Sequence, residues 1–180
     1  MTGVIVAVAV GPHHTFSKTV VDEVTLVEGL GVQGDAHSGA TVKHRSRVAR
    51  DPAQPNLRQV HLLQQELLDK LNAGGFPIVP GALGENVTTS GIDLLELPAG
   101  TLLHLGERAV VRITGLRTPC SQIEDFHEGL LAAVVSKDRD GHIRRKTGVM
   151  GVVLNSGNVQ AGDTVLVELP AAPHEPLQVV

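Results

Sequence analysis

The chain of 180 residues has one cysteine, Cys120, no tryptophan, no tyrosine and three phenylalanines. A single cysteine excludes an internal disulfide and any metal cluster that needs several thiolates from one chain. So few aromatics argue against stacking platforms for single-stranded nucleic acid and against aromatic membrane belts. Positive charge is scarce too: Lys plus Arg total 15 against 19 Asp plus Glu, a formal net charge of −4. A general nucleic-acid surface needs a basic surplus, so no nucleic acid is expected as a partner and any basic site must be local. Long apolar runs are also missing. The stretch Val4 to Val10 is too short to span a membrane, and the first basic residue, Lys18, comes after it rather than before, unlike a secretory signal. It reads as a buried strand in a cytoplasmic protein without membrane association.

What the chain does have is valine (26 residues), glycine (20) and proline (10), with 42% hydrophobic residues overall. That balance supplies a core and favours strands joined by tight turns. Strands are predicted over 3–10, 18–27, 58–63, 85–89, 101–105, 109–114, 149–154 and 164–169, and helices over 64–73 and 121–138. Leu67, Leu68 and Leu71 form the apolar stripe of the first helix, and Leu130, Leu131, Val134 and Val135 that of the second. Glycines 157 and 162 read as turn formers between the last two strands. No repeat or linker divides the chain. The expected architecture is a mostly-β, barrel-like domain over residues 1–170 with two short helices, followed by a loosely attached tail, 171–180.

Three features bear on chemistry. Pro119 stiffens the turn that carries Cys120 to the expected start of a helix, where free N–H groups, the helix dipole and Arg117 favour a thiolate. From the residues alone, Cys120 is open to two readings: a nucleophile, sulfur carrier or soft-metal ligand, or a small buried apolar side chain. Asp35 and His37 are spaced so that they could ligate a metal with His44 or His61 as a third ligand. Lastly, residues 40–58 hold Lys43, Arg45, Arg47, Arg50 and Arg58 against one acid, Asp51. Of these, Lys43, Arg45 and Arg47, with Lys18, Arg117, Arg144, Arg145 and Lys146, make a basic set suited to a phosphate-bearing small ligand. Gly29, Gly31 and Gly34 match the bare glycine spacing of a dinucleotide loop, but no helical pattern follows them.

The segments Gly29-Leu-Gly-Val-Gln-Gly-Asp-Ala-His37, Leu83-Gly-Glu-Asn86, Thr118-Pro-Cys120, Gly148-Val-Met-Gly151 and Gly157-Asn-Val-Gln-Ala-Gly-Asp163 together resemble the MOSC domain. This domain ends the molybdenum cofactor sulfurases and also occurs as small standalone bacterial proteins. The resemblance spans about residues 3–169 and implies a mostly-β, barrel-like fold. It implies that the motif cysteine carries sulfur or ligates molybdenum; in the related amidoxime-reducing components it ligates the metal of the pterin cofactor, and the enzyme reduces N-hydroxylated compounds. Carried over, Cys120 becomes the molybdenum ligand and Lys18 the basic residue near the cofactor phosphate. Asp35 and His37 match the Gly-Asp-x-His motif, Glu85 and Asn86 the turn lining the pterin pocket, and Arg117 and Thr118 flank the cysteine. Many relatives have Arg where this chain has Ala36; His44, Arg45 and Arg47 are candidates to replace it. The resemblance implies molybdopterin as cofactor, a small-molecule substrate and an electron-donor or cofactor-delivery protein as partner. Pyridoxal phosphate is not expected in this chain. Sulfur transfer through a Cys120 persulfide, and cofactor carriage without turnover, use the same residues. Exposed strand edges allow a homodimer.

Overall fold

The computed structural model describes residues 1–43, 45–137 and 141–180, the side chains of residues 45 and 46 excepted. The N-terminal part runs β1 (Thr2–Val10), β2 (Thr19–Val21), β3 (Glu23–Val27), β4 (Gly31–Val32) and one helical turn, α1 (Arg45–Val48). Then come β5 (Val60–Gln64), α2 (Gln65–Ala73), β6 (Val87–Ser90), β7 (Leu102–Leu105) and β8 (Ala109–Leu116). The last third holds α3 (Gln122–Phe126), α4 (Leu130–Val134), β9 (Val135–Lys137), β10 (Ile143–Arg145), β11 (Val149–Asn155), β12 (Gly157–Gln160) and β13 (Thr164–Glu168).

The main sheet has the order β13-β7-β8-β11-β5-β6-β1-β2, and β13 pairs back onto β1, so seven of its strands close into a barrel. The expectation of a mostly-β barrel with few short helices is met. Closure uses the N-terminal half of β1, where Thr2 to Val4 lie opposite Leu166 to Thr164, while its C-terminal half pairs with β2. Closing the sheet removes the unpaired edges that an open sheet would expose. Among the described strands, β5 and β6 alone pair in parallel. A parallel pair needs a crossover, and α2 supplies it. Strand alternation fills the barrel: Ala109, Val111 and Ile113 of β8 point inward between more exposed neighbours. In β1 a register shift between Ile5 and Ala7 interrupts that alternation. Val4 and Val6 face outward around Ile5, and past the shift Ala7, Val8 and Ala9 are buried in succession; the apolar run is only partly a core strand.

A second core lies outside the barrel. Leu63 on β5 meets Leu67, Leu68 and Leu71 of α2, Ile78 and Leu83 of the following loop, and Ile123, Leu130 and Val134 of α3 and α4. The helix expected over 121–138 is broken in two. Gly129 adopts φ +80, and the Glu124 carboxylate accepts hydrogen bonds from the N–H groups of Gly129 and Leu131 at 2.8 and 3.1 Å. A carboxylate on those free N–H groups starts a new helix instead of extending the old one. Val135 to Lys137 then pair with β10 as a hairpin; residue 138, the expected helix end, lies outside the described residues. The strand expected over 18–27 also divides, β2 staying on β1 while β3 joins β12 and β4 in a small three-stranded sheet. Gly157, read as a turn former, begins β12 because an added Cβ would lie 2.7 Å from the backbone nitrogen of Ala109.

The C-terminal tail packs along the end of β8. Leu116 N–H donates to Gln178 O at 2.8 Å, Ala99 N–H to Glu175 O at 2.8 Å, and Leu177 rests on the barrel core. Among the described residues, no helix is long and apolar enough to cross a membrane.

Candidate functional site

Two loops meet over one side of the barrel. After β1 the chain runs through Gly11 to Lys18, and the turn 80–84 presses against it. Lys18 N–H donates to Gly81 O at 2.9 Å and Ser17 Oγ to Ala82 O at 2.8 Å. The turn needs glycine twice: Gly81 and Gly84 sit at φ +82 and +83, and side chains there would strike the carbonyls of Lys18 and Phe16. Glu85 closes this turn from beneath, its Oε1 accepting from Gly81 N–H at 2.6 Å and Thr88 Oγ1 at 3.3 Å. It is fully buried, and burial pushes its carboxyl above the ordinary range, against the pull of those hydrogen bonds and of Arg117. Glu85 therefore supports the site and does not line it.

Asp35 is the hub. Its Oδ2 accepts from Lys18 Nζ at 2.8 Å, Asn86 Nδ2 at 2.9 Å and Gly11 N–H at 3.2 Å. Its Oδ1 takes the His37 N–H at 2.9 Å and lies 3.2 Å from His37 Nδ1. Burial alone would raise the Asp35 carboxyl, but the His37 hydrogen bonds and the Lys18 charge outweigh it and hold the group well below the usual carboxylate range. Burial pulls Lys18 down, opposed by Asp35. Asn86 also donates to Ala9 O at 3.1 Å and accepts from His61 N–H at 3.2 Å, tying β1, β5 and the Asp35 loop together. His61 donates Nε2–H to Thr147 O at 2.7 Å and is kept neutral, its pKa well below the usual value, chiefly by burial and then by Arg117.

With its lone pairs engaged by five donor contacts, Asp35 is not available as a metal ligand. Among the described residues no three of His, Cys, Asp and Glu converge on an ion site, so the Asp35–His37–His61 metal reading fails. The variant with His44 as third ligand lies outside the described residues. Gly29, Gly31 and Gly34 open no helix; Gly31 instead lets its backbone approach the Gln59 carbonyl.

Above this frame is a cleft of about 490 Å³. Its lining includes Lys18, His37, Arg47, Asn86, Arg117, Thr118 and Cys120, which the sequence singled out. Arg45 begins α1, but its side chain lies outside the described residues. The anticipated basic set divides: Arg144, Arg145 and Lys146 line a separate groove, where Arg144 pairs with Glu96. Arg58, Phe16, His14 and Met150 line the cleft without having been assigned to it. The signal for Arg58 was its place at the end of the basic stretch 43–58.

Cys120 is half-buried at the cleft wall, its Sγ 3.6 Å from Gln122 Oε1. Arg117 is buried and lies over the Phe16 ring at 5.9 Å. Burial lowers the Arg117 guanidinium, opposed by Cys120 and Glu85. Arg58 is pulled down to about 10 by burial and then by Arg47 and Arg117, again opposed by Cys120. Two buried guanidinium nitrogens, Arg58 Nε and Arg117 Nη1, have no hydrogen-bond partner among the described residues. Such groups are costly unless something satisfies them. The arrangement can receive an anion beside a thiol.

No curated protein matches the chain. The structure is similar to YuaD from Bacillus subtilis, with a TM-score of 0.74 at 24% identity, covering 95% of this chain and 98% of that one. It is also similar to YiiM from Escherichia coli (TM-score 0.63, 21% identity, 97% and 73% covered). YiiM from Geobacillus stearothermophilus gives a TM-score of 0.66 at 20% identity, with 98% and 80% covered. At these identities the likeness establishes the fold. The MOSC domain profile matches residues 33–166, which takes in the Asp35 hub, Arg117 and Cys120. The chain belongs to the MOSC domain family, a family associated with molybdenum cofactor binding.

Proposed function

We propose that the cleft binds the molybdenum cofactor with Cys120 as the metal ligand, and that the protein reduces N-hydroxylated compounds. The observation that carries this reading is the juxtaposition of a half-buried thiol with buried guanidinium N–H groups that lack partners. A soft thiolate suits a thiolate-rich molybdenum centre, and guanidinium forks suit a phosphate. Lys18 is already neutralised by Asp35, so the phosphate falls to Arg47, Arg58 and Arg117, while Phe16 and Met150 give the cleft apolar wall. When bound, the cofactor supplies two-electron redox chemistry at its metal. The chain's own part is to orient it. Asp35 and Asn86 lock Lys18, His37 and β5 in place, so the cleft is formed before anything enters. One cysteine cannot hold an iron–sulfur cluster of the four-thiolate kind, so electrons come from a partner protein.

The test is metal analysis of the protein from cofactor-competent and cofactor-deficient hosts. Stoichiometric molybdenum is expected in the first and its loss in Cys120→Ser, with the Ser variant still folded by circular dichroism. A competent-host preparation without molybdenum ends the oxidoreductase reading. A second reading is sulfur carriage: Cys120 is half-buried rather than sealed, and with no second cysteine in the chain a persulfide there has no internal thiol to resolve it. It predicts a cyanide-labile mass increment of one sulfur on Cys120 and no need for metal.

A further inference from the structure

We infer that the C-terminal segment is a working part of the cleft: a main-chain oxygen of Val180 positions the Arg58 guanidinium to bind an anion. Arg58 Nη1 donates to Val180 O at 3.1 Å, while its Nε is buried without a partner among the described residues. Arg58 shares the cleft with Arg47 and Arg117. Like charges drive a long flexible side chain apart and toward water, so a fixed acceptor is needed to keep Arg58 among them.

The tail is itself held in register. Leu116 donates to Gln178 O at 2.8 Å and accepts from Val180 N–H at 3.3 Å, and Leu116 and Val179 form a parallel bridge. Leu116 is the last residue of β8, and the next two residues, Arg117 and Thr118, line the cleft. One strand end thus carries both Arg117 and the support of Arg58. Gly115 makes the docking possible. It is not among the glycines with positive φ, yet an added Cβ would overlap Gln178 O and lie 2.6 Å from Val180 Cγ1. The glycine is there for the close approach of the tail, not for an unusual backbone angle. A pre-placed guanidinium loses less freedom on binding, which raises affinity without a new contact.

This inference rests on the reading of the cleft as an anion site, and its probe is inorganic phosphate titrated into full-length protein from a cofactor-deficient host, followed by calorimetry. Arg58→Ala should weaken phosphate binding about tenfold to a hundredfold, the range for a lost hydrogen bond to a charged group. Gly115→Val, which displaces the tail, should weaken binding severalfold in the Arg58 background and leave Arg58→Ala unchanged. That non-additivity is the signature of positioning through Arg58. Equal loss in both backgrounds, no loss with the tail displaced, or no phosphate binding by the unmodified protein would each overturn the inference. If Gly115→Val does not fold, Gly115→Ala carries the same overlap with less bulk and replaces it in the cycle. Phosphate binding by a protein that never acquires molybdenum removes the proposed function and leaves this one standing; molybdenum without phosphate binding does the reverse.

Discussion

Asp35 shows how a single buried carboxylate organises the site. Five donor contacts from four residues converge on it, and Lys18 depends on it for charge balance. Removing one partner of a buried pair leaves the other charged and unsolvated, so Asp35→Asn should cost about 3–5 kcal/mol, measured by urea unfolding at neutral pH. The pH dependence has a definite sign. The Asp35 carboxyl lies below its unfolded value when folded, so its contribution is present above about pH 4 and is lost as the pH falls further. His61 acts at milder acidity. Folding keeps it neutral, so the unfolded chain gains a proton as the pH drops below about 6.5, and stability declines by up to roughly 1.4 kcal/mol per pH unit. Unfolding free energies measured from pH 8 to 4 should therefore fall below pH 6.5, and His61→Asn should flatten that decline. An undiminished slope in the variant would show that another group is responsible. In the sequence, Asp35 and His37 were recognisable as a motif, but their role was not. Two side chains that face a metal and two that face each other have the same spacing along the chain.

At the scale of elements, the connections around the cleft are set by close approach as much as by turn geometry. Gly148 sits at φ +85 just before β11, and an added Cβ would run into the Leu62 carbonyl. Gly148→Ala should therefore cost at least about 2 kcal/mol from the backbone conformation alone. For a chain of this size that lowers Tm by roughly 4–8 °C, read by scanning calorimetry. Gly34→Ala, also at positive φ but with nothing within 4 Å, should cost less. Strand alternation in β8 and the leucine stripe of α2 were readable because each element buries its own periodic face. The division of 121–138 was not, because it depends on the Glu124 side chain reaching forward to Gly129 and Leu131. Nor was β12, whose glycine serves packing against Ala109.

The whole molecule sets a long-range field against a local one. The net charge of −4 repels anions, while Arg47, Arg58 and Arg117 attract them within the cleft. Screening acts on both, but the nearer charges decide the sign. Phosphate affinity should fall severalfold when NaCl rises from low to high concentration, followed by calorimetry at fixed pH. An affinity that rises with salt would mean that the net charge dominates and that the guanidinium groups are not engaged. Closure of β13 onto β1 holds the barrel on which this cleft is built, and the second core fixes α2, α3 and the 80–84 turn around it. A β-rich chain with short helices, the glycine turns, the lone Cys120 behind a proline and a basic stretch near residue 50 are legible in the amino-acid order, because composition, periodicity and local backbone constraints are written residue by residue. Folding alone brings Arg58 into the cleft and takes Arg144 to Lys146 away from it, places Glu85 beneath the cleft instead of in its lining, and docks the tail on the end of β8. Those outcomes rest on contacts such as Arg58 with Val180, 122 residues apart, and no local pattern says which strand ends a closed barrel brings together.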